Sequence, residues 1–241
     1  MTSSTRTLGL NYYPRKSPRG AKSRGRVPLP EGEERPALVG AKQGPHLVFV
    51  RHGETDGESS VRYHGRNDVP LSAVGRAQMQ RVAATLDGRR FAAVYASTLS
   101  RAVEAARIVG RTATVRHLPG FDEIHFGDWE GLTAEEIRDR YPDHFARWQQ
   151  SGGDFHYPGG ESTAAFRARV VHTLHTVLAE APAGDLLFVV HKGVIRSVLA
   201  ELLHLDVPAR QALRVELGSI HVVSRHDGGW RALVLDRTDH L

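Results

Sequence analysis

Two apolar runs, Leu47-Val48-Phe49-Val50 and 186–190, each lead into a histidine, the first through Arg51 to His52 and the second directly to His191. Four or five apolar residues without polar alternation fit a strand buried on both faces, the kind found in parallel sheets covered by helices. In an open sheet of that kind the strand ends face the ligand crevice, so residues there converge however distant they are in sequence. The pattern predicts an α/β chain with His52 and His191 in one site. Arg51 sets a fork-shaped anion clamp beside His52, which points to phosphate chemistry.

From Pro45 onward, strand and helix signals alternate. Strands are expected over 46–50, 91–95, 113–117 and 185–190, with three short ones near 214–217, 220–224 and 231–235. Ser72 should cap a helix reaching residue 86, its apolar face carrying Val74, Ala77, Val82 and Leu86. Further helices are expected over 99–109, from the capping box of Thr133 and Glu136, over 143–150 beyond Pro142, from the cap Ser162 to residue 179, and over 194–203. Asp227-Gly228-Gly229 suits a hairpin turn. No internal repeat is evident.

The 241 residues can hold one sizeable α/β domain. The net charge of +5 is uneven: residues 1–35 hold eight basic against three acidic side chains, and the rest balances at 24 against 24. That basic stretch is rich in Ser, Pro, Gly and Arg and has no periodic apolar face, so it is expected to be disordered. The domain is placed at 45–241 and the extension at 1–44. With no cysteine there is neither a disulfide framework nor a thiolate metal site, which fits a reducing compartment such as the cytoplasm. Nothing has the length of a membrane span or the apolar core of a signal peptide. The extension has no aromatic stacking platform, so nucleic acid is not favoured as a partner.

Phosphoryl transfer asks a site for positioning and for donors that neutralise the equatorial oxygens. Arg51 supplies one guanidinium. Arg101 supplies another at the start of a helix, where free amides also favour an anion. His191 is a further donor. His52 is the candidate nucleophile, since nearby cations keep its imidazole unprotonated. Glu123, in the loop after the third strand, is the candidate general acid, with Asp122 and Glu130 competing for that role. Gly53, Glu58, Arg62, His64, Gly65 and Lys192 are assigned to substrate binding. His172 and His175 stand three apart on a helix with no third ligand nearby, so they are read as surface residues. Trp129 and Trp148 are read as packing.

Arg51-His52-Gly53-Glu54-Thr55, then Gly65 with Asp68, Pro70, Leu71 and Ser72, Gly75 and Gln78, 97–102, 118–131, 158–162 and finally His191 together resemble the histidine phosphatase superfamily, also called phosphoglycerate mutase-like. The resemblance covers residue 47 to the C-terminus. It implies a three-layer α/β/α sandwich around a mostly parallel sheet and a phosphohistidine on His52. It further implies a pocket of Arg51, Arg101 and His191 with Glu123 as proton donor, and neither metal nor organic cofactor. The stretch Glu123-Ile124-His125-Phe126-Gly127-Asp128-Trp129-Glu130-Gly131 resembles the phosphatase branch, including alpha-ribazole phosphatase and broad-specificity phosphatases.

The expected activity is hydrolysis of a small phosphorylated metabolite. A phosphoglycerate mutase-type transfer, a phosphohistidine protein phosphatase and a non-catalytic phosphate-binding module are the alternatives. The segment 133–160 is long enough to roof the pocket and favour small substrates. Two positions depart from the family pattern: Glu58 stands where an asparagine is common and Lys192 where a glycine is. If both reach the pocket they should pair, the lysine offsetting the carboxylate. A homodimer stays open.

Overall fold

Alternate residues of the two histidine-terminated strands go to opposite faces of one sheet. In β1 (His46–Arg51), Leu47 and Phe49 enter one apolar cluster while Val48 and Val50 enter another. In β4 (Leu186–Val190), Leu186, Phe188 and Val190 divide from Leu187 and Val189 in the same way. Both strands are buried on both sides, which is why their sequences lack polar alternation. The computed structural model describes residues 45–58, 61–111, 113–226 and 229–241. The basic extension over 1–44 lies outside the described residues, as do Asp227 and Gly228 of the expected hairpin turn.

The remaining strands are β2 (Ala93–Ala96), β3 (Val115–His117), β5 (Ile220–His226) and β6 (Gly229–Arg237), in the order β3-β2-β4-β1-β5-β6. The first four run parallel, and β5 and β6 add antiparallel pairings at one edge. Helices α1 (Ala73–Thr85) and α2 (Ser100–Gly110) cover one face. The other is covered by α5 (Thr163–Glu180) and α6 (Lys192–Leu202). Three short helices complete the chain: α3 (Ala134–Arg140), α4 (Pro142–Gln150) and α7 (Val207–Ala212). This is the expected sandwich of helices, mixed sheet and helices. Among the described residues no helix is long and apolar enough to cross a membrane.

β1 and β4 are neighbours in register, with Arg51 opposite Val190. The chain leaves β1 toward α1 on one face and leaves β4 toward α6 on the other. That divergence is a topological switch point, where a crevice opens beyond the strand ends. His52 and His191 are the next residues on each strand.

Helix caps follow the sequence closely: Ser72 and Ser162 accept from the third amide of their helices, and Thr133 with Glu136 forms the full capping box. Two expectations are corrected and one helix is added. Val74 is exposed, and α1 instead buries Gly75, Met79, Val82 and Ala83. The rotation follows from Gly75, which packs so tightly on the Glu54 backbone that no Cβ would fit. Residues 214–217 form no strand; Val215 uses its carbonyl for Arg51 and Glu216 its amide for Asp236. The preceding α7, capped by Asp206, was not expected from the sequence.

Candidate active site

His52 is fixed at both ends. Its backbone amide donates to Val190 O at 3.1 Å, tying it to the end of β4. Its ring Nδ1 lies 2.7 Å from Gly53 O. A carbonyl can only accept, so Nδ1 carries the proton and Nε2 keeps a free lone pair. Burial first, then the charges of Arg101 and Arg51, hold the ring well below the ordinary histidine range. A neutral imidazole with a bare Nε2 is the form a nucleophile requires.

His191 packs edge-on against His52, with ring centroids 5.0 Å apart. Its Nε2 lies 2.6 Å from Ser97 Oγ, which itself accepts the Leu99 amide at 3.2 Å. In the tautomer in which the serine gives its proton to Nε2, Nδ1 is the protonated nitrogen. Burial and then Arg101 lower this histidine too. Its Nδ1 is buried without a protein partner among the described residues.

The two arginines share that trait. Arg51 donates through Nη1 to Val215 O at 2.8 Å, and Arg101 donates through Nη1 to Asn67 O at 2.8 Å and through Nη2 to the carbonyls of His64 and Gly65. In both, the buried Nε has no partner among the described residues. Burial lowers Arg51 to about 10, so it remains a cation at neutral pH. The charges of Arg51 and Arg101 both act on His52 and His191 packs against it, so these buried nitrogens without acceptors among the described residues suit an oxyanion, because a buried donor without an acceptor is otherwise costly. Arg101 has a second task unseen in the sequence: it clamps the 64–67 loop.

The three competing carboxylates separate by their donors. Glu123 is buried, accepting Ile124 N at 2.9 Å on Oε1 and Gly193 N at 2.9 Å on Oε2. Its charge is felt at both Arg51 and Arg101. Asp122 is committed to the amide and hydroxyl of Thr98. Glu130 accepts the amides of Gly65, Arg66, Asn67 and Phe126, so it is an anchor for the loop that Arg101 clamps. Only Glu123 stands at the start of α6 beside the histidines.

The substrate-binding set divides. Lys192 opens α6, where burial and then the charges of Arg51 and Arg196 bring its amine down to about 7. His64 lies near enough to influence His52, but its nitrogens are engaged by Gly57 O at 2.7 Å and Asn67 Nδ2 at 3.2 Å. Gly53 and Gly65 allow close backbone approach to Gly75 and to Ile124. Two assignments are corrected. Glu58 is two-thirds exposed and binds Arg62 Nε at 2.9 Å, so the expected pairing with Lys192 does not form. Arg62 is held by Glu58, Glu136 and Gly131 O, which makes it a strut between loop and α3.

Sequence reasoning missed further positioning residues. Arg169 donates to Gly120 O and Asp122 O, each at 3.0 Å, and forks Glu161 at 3.1 and 2.8 Å. It thereby braces the chain just before Glu123. Nothing local marks this role, since the partners lie 47 to 49 residues away. Among the described residues no three His, Asp or Glu side chains converge as metal ligands, and His175 pairs with Glu201.

Residues 47–238 match the family model of the histidine phosphatase superfamily (branch 1). An adenosylcobalamin/alpha-ribazole phosphatase of Salmonella typhimurium is 32% identical over 174 residues, 71% of this chain and 86% of that protein. Phosphoglycerate mutase-like protein 4 of Arabidopsis thaliana is 31% identical over 201 residues, 81% of this chain and 86% of its own. Among solved structures, the alpha-ribazole phosphatase of Shigella flexneri superposes with a TM-score of 0.74 at 27% identity, covering 80% of this chain and 96% of that one. A mycobacterial glucosyl-3-phosphoglycerate phosphatase gives 0.71 at 29%, covering 81% and 100%.

Proposed function

Because the chain belongs to branch 1 of the histidine phosphatase superfamily, we propose that it hydrolyses small phosphomonoesters through a phosphohistidine on His52. The observation that carries this reading is the tautomer of His52: Nδ1 donates to Gly53 O, which leaves Nε2 with its lone pair free. Nε2 attacks phosphorus as the bond to the leaving oxygen breaks. Arg51 Nε, Arg101 Nε and His191 Nδ1–H take the charge on the equatorial oxygens, with Lys192 adding to it when protonated. Glu123 is assigned the transfer of a proton to the leaving oxygen. As a carboxylate it then takes a proton from water, which attacks the phosphohistidine and frees phosphate and His52.

The segment 133–160, long enough to cover the site, favours small substrates over protein ones. Its end and the residue after it are tied to the Glu123 loop by Asp128 N to Pro158 O at 2.8 Å and Glu161 N to His125 O at 2.9 Å. The relatives named as phosphatases support hydrolysis over transfer. A cytoplasmic location agrees with the absence of cysteine.

Rapid quench with a labelled phosphomonoester should trap acid-labile, base-stable label on the wild type and none on His52→Ala, which should lose turnover. Near wild-type turnover in that variant overturns the mechanism. Isomerisation of phosphoglycerate without phosphate release overturns the hydrolase assignment.

A further inference from the structure

The segment 213–219, which joins α7 to β5, is strung along the candidate site. At its start Leu213 O accepts Arg196 Nε at 2.9 Å and Nη2 at 2.7 Å. Val215 O accepts Arg51 Nη1 at 2.8 Å. At its end Gly218 N donates to His52 O at 3.2 Å, and Ser219 O accepts Arg51 N at 3.1 Å. Glu216 stands between these attachments with its own backbone fixed, the amide donating to Asp236 Oδ1 at 2.8 Å and the carbonyl accepting Ser219 N at 3.1 Å. A carboxylate is thereby mounted beside the phosphate donors without being one of them.

Its side chain is 56% exposed, and its one ion-pair partner among the described residues is Arg214 Nη2 at 3.5 Å. That guanidinium is more exposed still and is shared, since its Nε lies 3.5 Å from Asp236 Oδ2. A solvent-screened contact of that length, divided between two carboxylates, does not cancel the charge of either. The charge of Glu216 acts on Arg51 more strongly than that of the buried Glu123, and it also reaches Lys192. An exposed carboxylate that acts on two residues of the pocket stands at its rim.

Arg51 and Arg101 match the two charges of a phosphomonoester held in the pocket. The alcohol half has to lead from these buried donors toward solvent, past the rim. A second anion there meets a like charge and an ammonium an opposite one. We propose that Glu216 is a specificity-determining residue of this site, which turns it away from phosphomonoesters with a second anionic group on the alcohol and toward those whose alcohol carries an ammonium. The proposal rests on the phosphomonoester reading of the pocket, though not on the covalent step.

Three short esters serve as probes: 2-phosphoglycolate, propyl phosphate and phosphoethanolamine, whose alcohol ends are a carboxylate, a methyl and an ammonium. Their binding is measured by calorimetry to the full chain carrying His52→Ala, so that no turnover intervenes. Adding Glu216→Gln should raise the affinity for phosphoglycolate relative to propyl phosphate about fivefold and lower that for phosphoethanolamine relative to propyl phosphate about threefold. Glu216→Asp, which keeps the charge, should preserve the original ratios. In the chain with His52 intact, the ratios of kcat/KM should shift in the same directions. Affinities that move together would mean that Glu216 only holds the loop, and ratios that do not move would mean that its charge misses the alcohol; either overturns the proposal. So does tightest binding of phosphoglycolate to the chain that keeps Glu216, or no binding of any ester. Phosphate release by the wild type is scored separately, so a chain that sorts the esters by charge without hydrolysing them overturns the phosphatase reading alone.

Discussion

Gly193→Ala tests whether Glu123 must stand where its two amide donors hold it. A Cβ on Gly193 would overlap Glu123 Oε1 and lie 3.2 Å from its Cδ and 3.1 Å from Phe166 Cζ. The carboxylate cannot yield freely, because one oxygen is held by Ile124 N and the other by Gly193 N. Overpacking of this kind costs about 1–3 kcal/mol, against roughly 1 kcal/mol regained from replacing a helical glycine. The net loss of about 2 kcal/mol or less leaves a domain of ordinary stability folded. Catalysis should suffer more. Misplacing a general acid forfeits part of a factor of about 10² to 10⁴, and most for leaving groups that cannot depart as anions. Turnover should therefore fall little with nitrophenyl phosphate, more with phenyl phosphate and most with an alkyl phosphate. Adding Glu123→Gln to Gly193→Ala should cost little beyond Glu123→Gln alone, because both remove the same contribution. An equal fall across the three substrates, or losses that multiply in the double variant, would refute the reasoning.

Glu130→Gln keeps the shape of the side chain but puts a donor among four backbone donors; it should lower stability by about 1–3 kcal/mol and raise KM more than it lowers kcat. Unchanged melting and KM would show that the 64–67 loop is held by Arg101 alone. Lys192, brought down to about 7 from an ordinary 10.5, is a cation below that pH and neutral above it, so KM should climb as pH rises through about 7 and climb less in Lys192→Met. The unfolded chain keeps this proton up to 10.5 while the folded one releases it near 7, so the wild type should gain stability over that window relative to the variant. A pH profile shared by both proteins would remove Lys192 from the phosphate pocket.

The sequence alone determined the parts whose cause is local. Apolar runs without alternation define β1 and β4, oxygen-bearing caps start α1, α3 and α5, and the residue following each buried strand has to lie at the sheet's edge. His52, His191 and Arg51 were legible for that reason, and Arg101 because its helix starts where an anion is favoured. The tertiary structure decided what depends on partners far along the chain. Glu123, Asp122 and Glu130 are alike as residue types, and only their donors from Gly193, Thr98 and the 65–67 amides separate the proposed acid from the anchors. Glu58 and Lys192 looked like a pair on charge, yet Arg62, four residues along the chain from Glu58, binds it. α1 turned Val74 outward because the fit of Gly75 on Glu54 outweighed one apolar side chain. Charge and hydrophobicity are properties of a residue, whereas hydrogen-bond direction and close approach belong to pairs that exist only once the chain has folded.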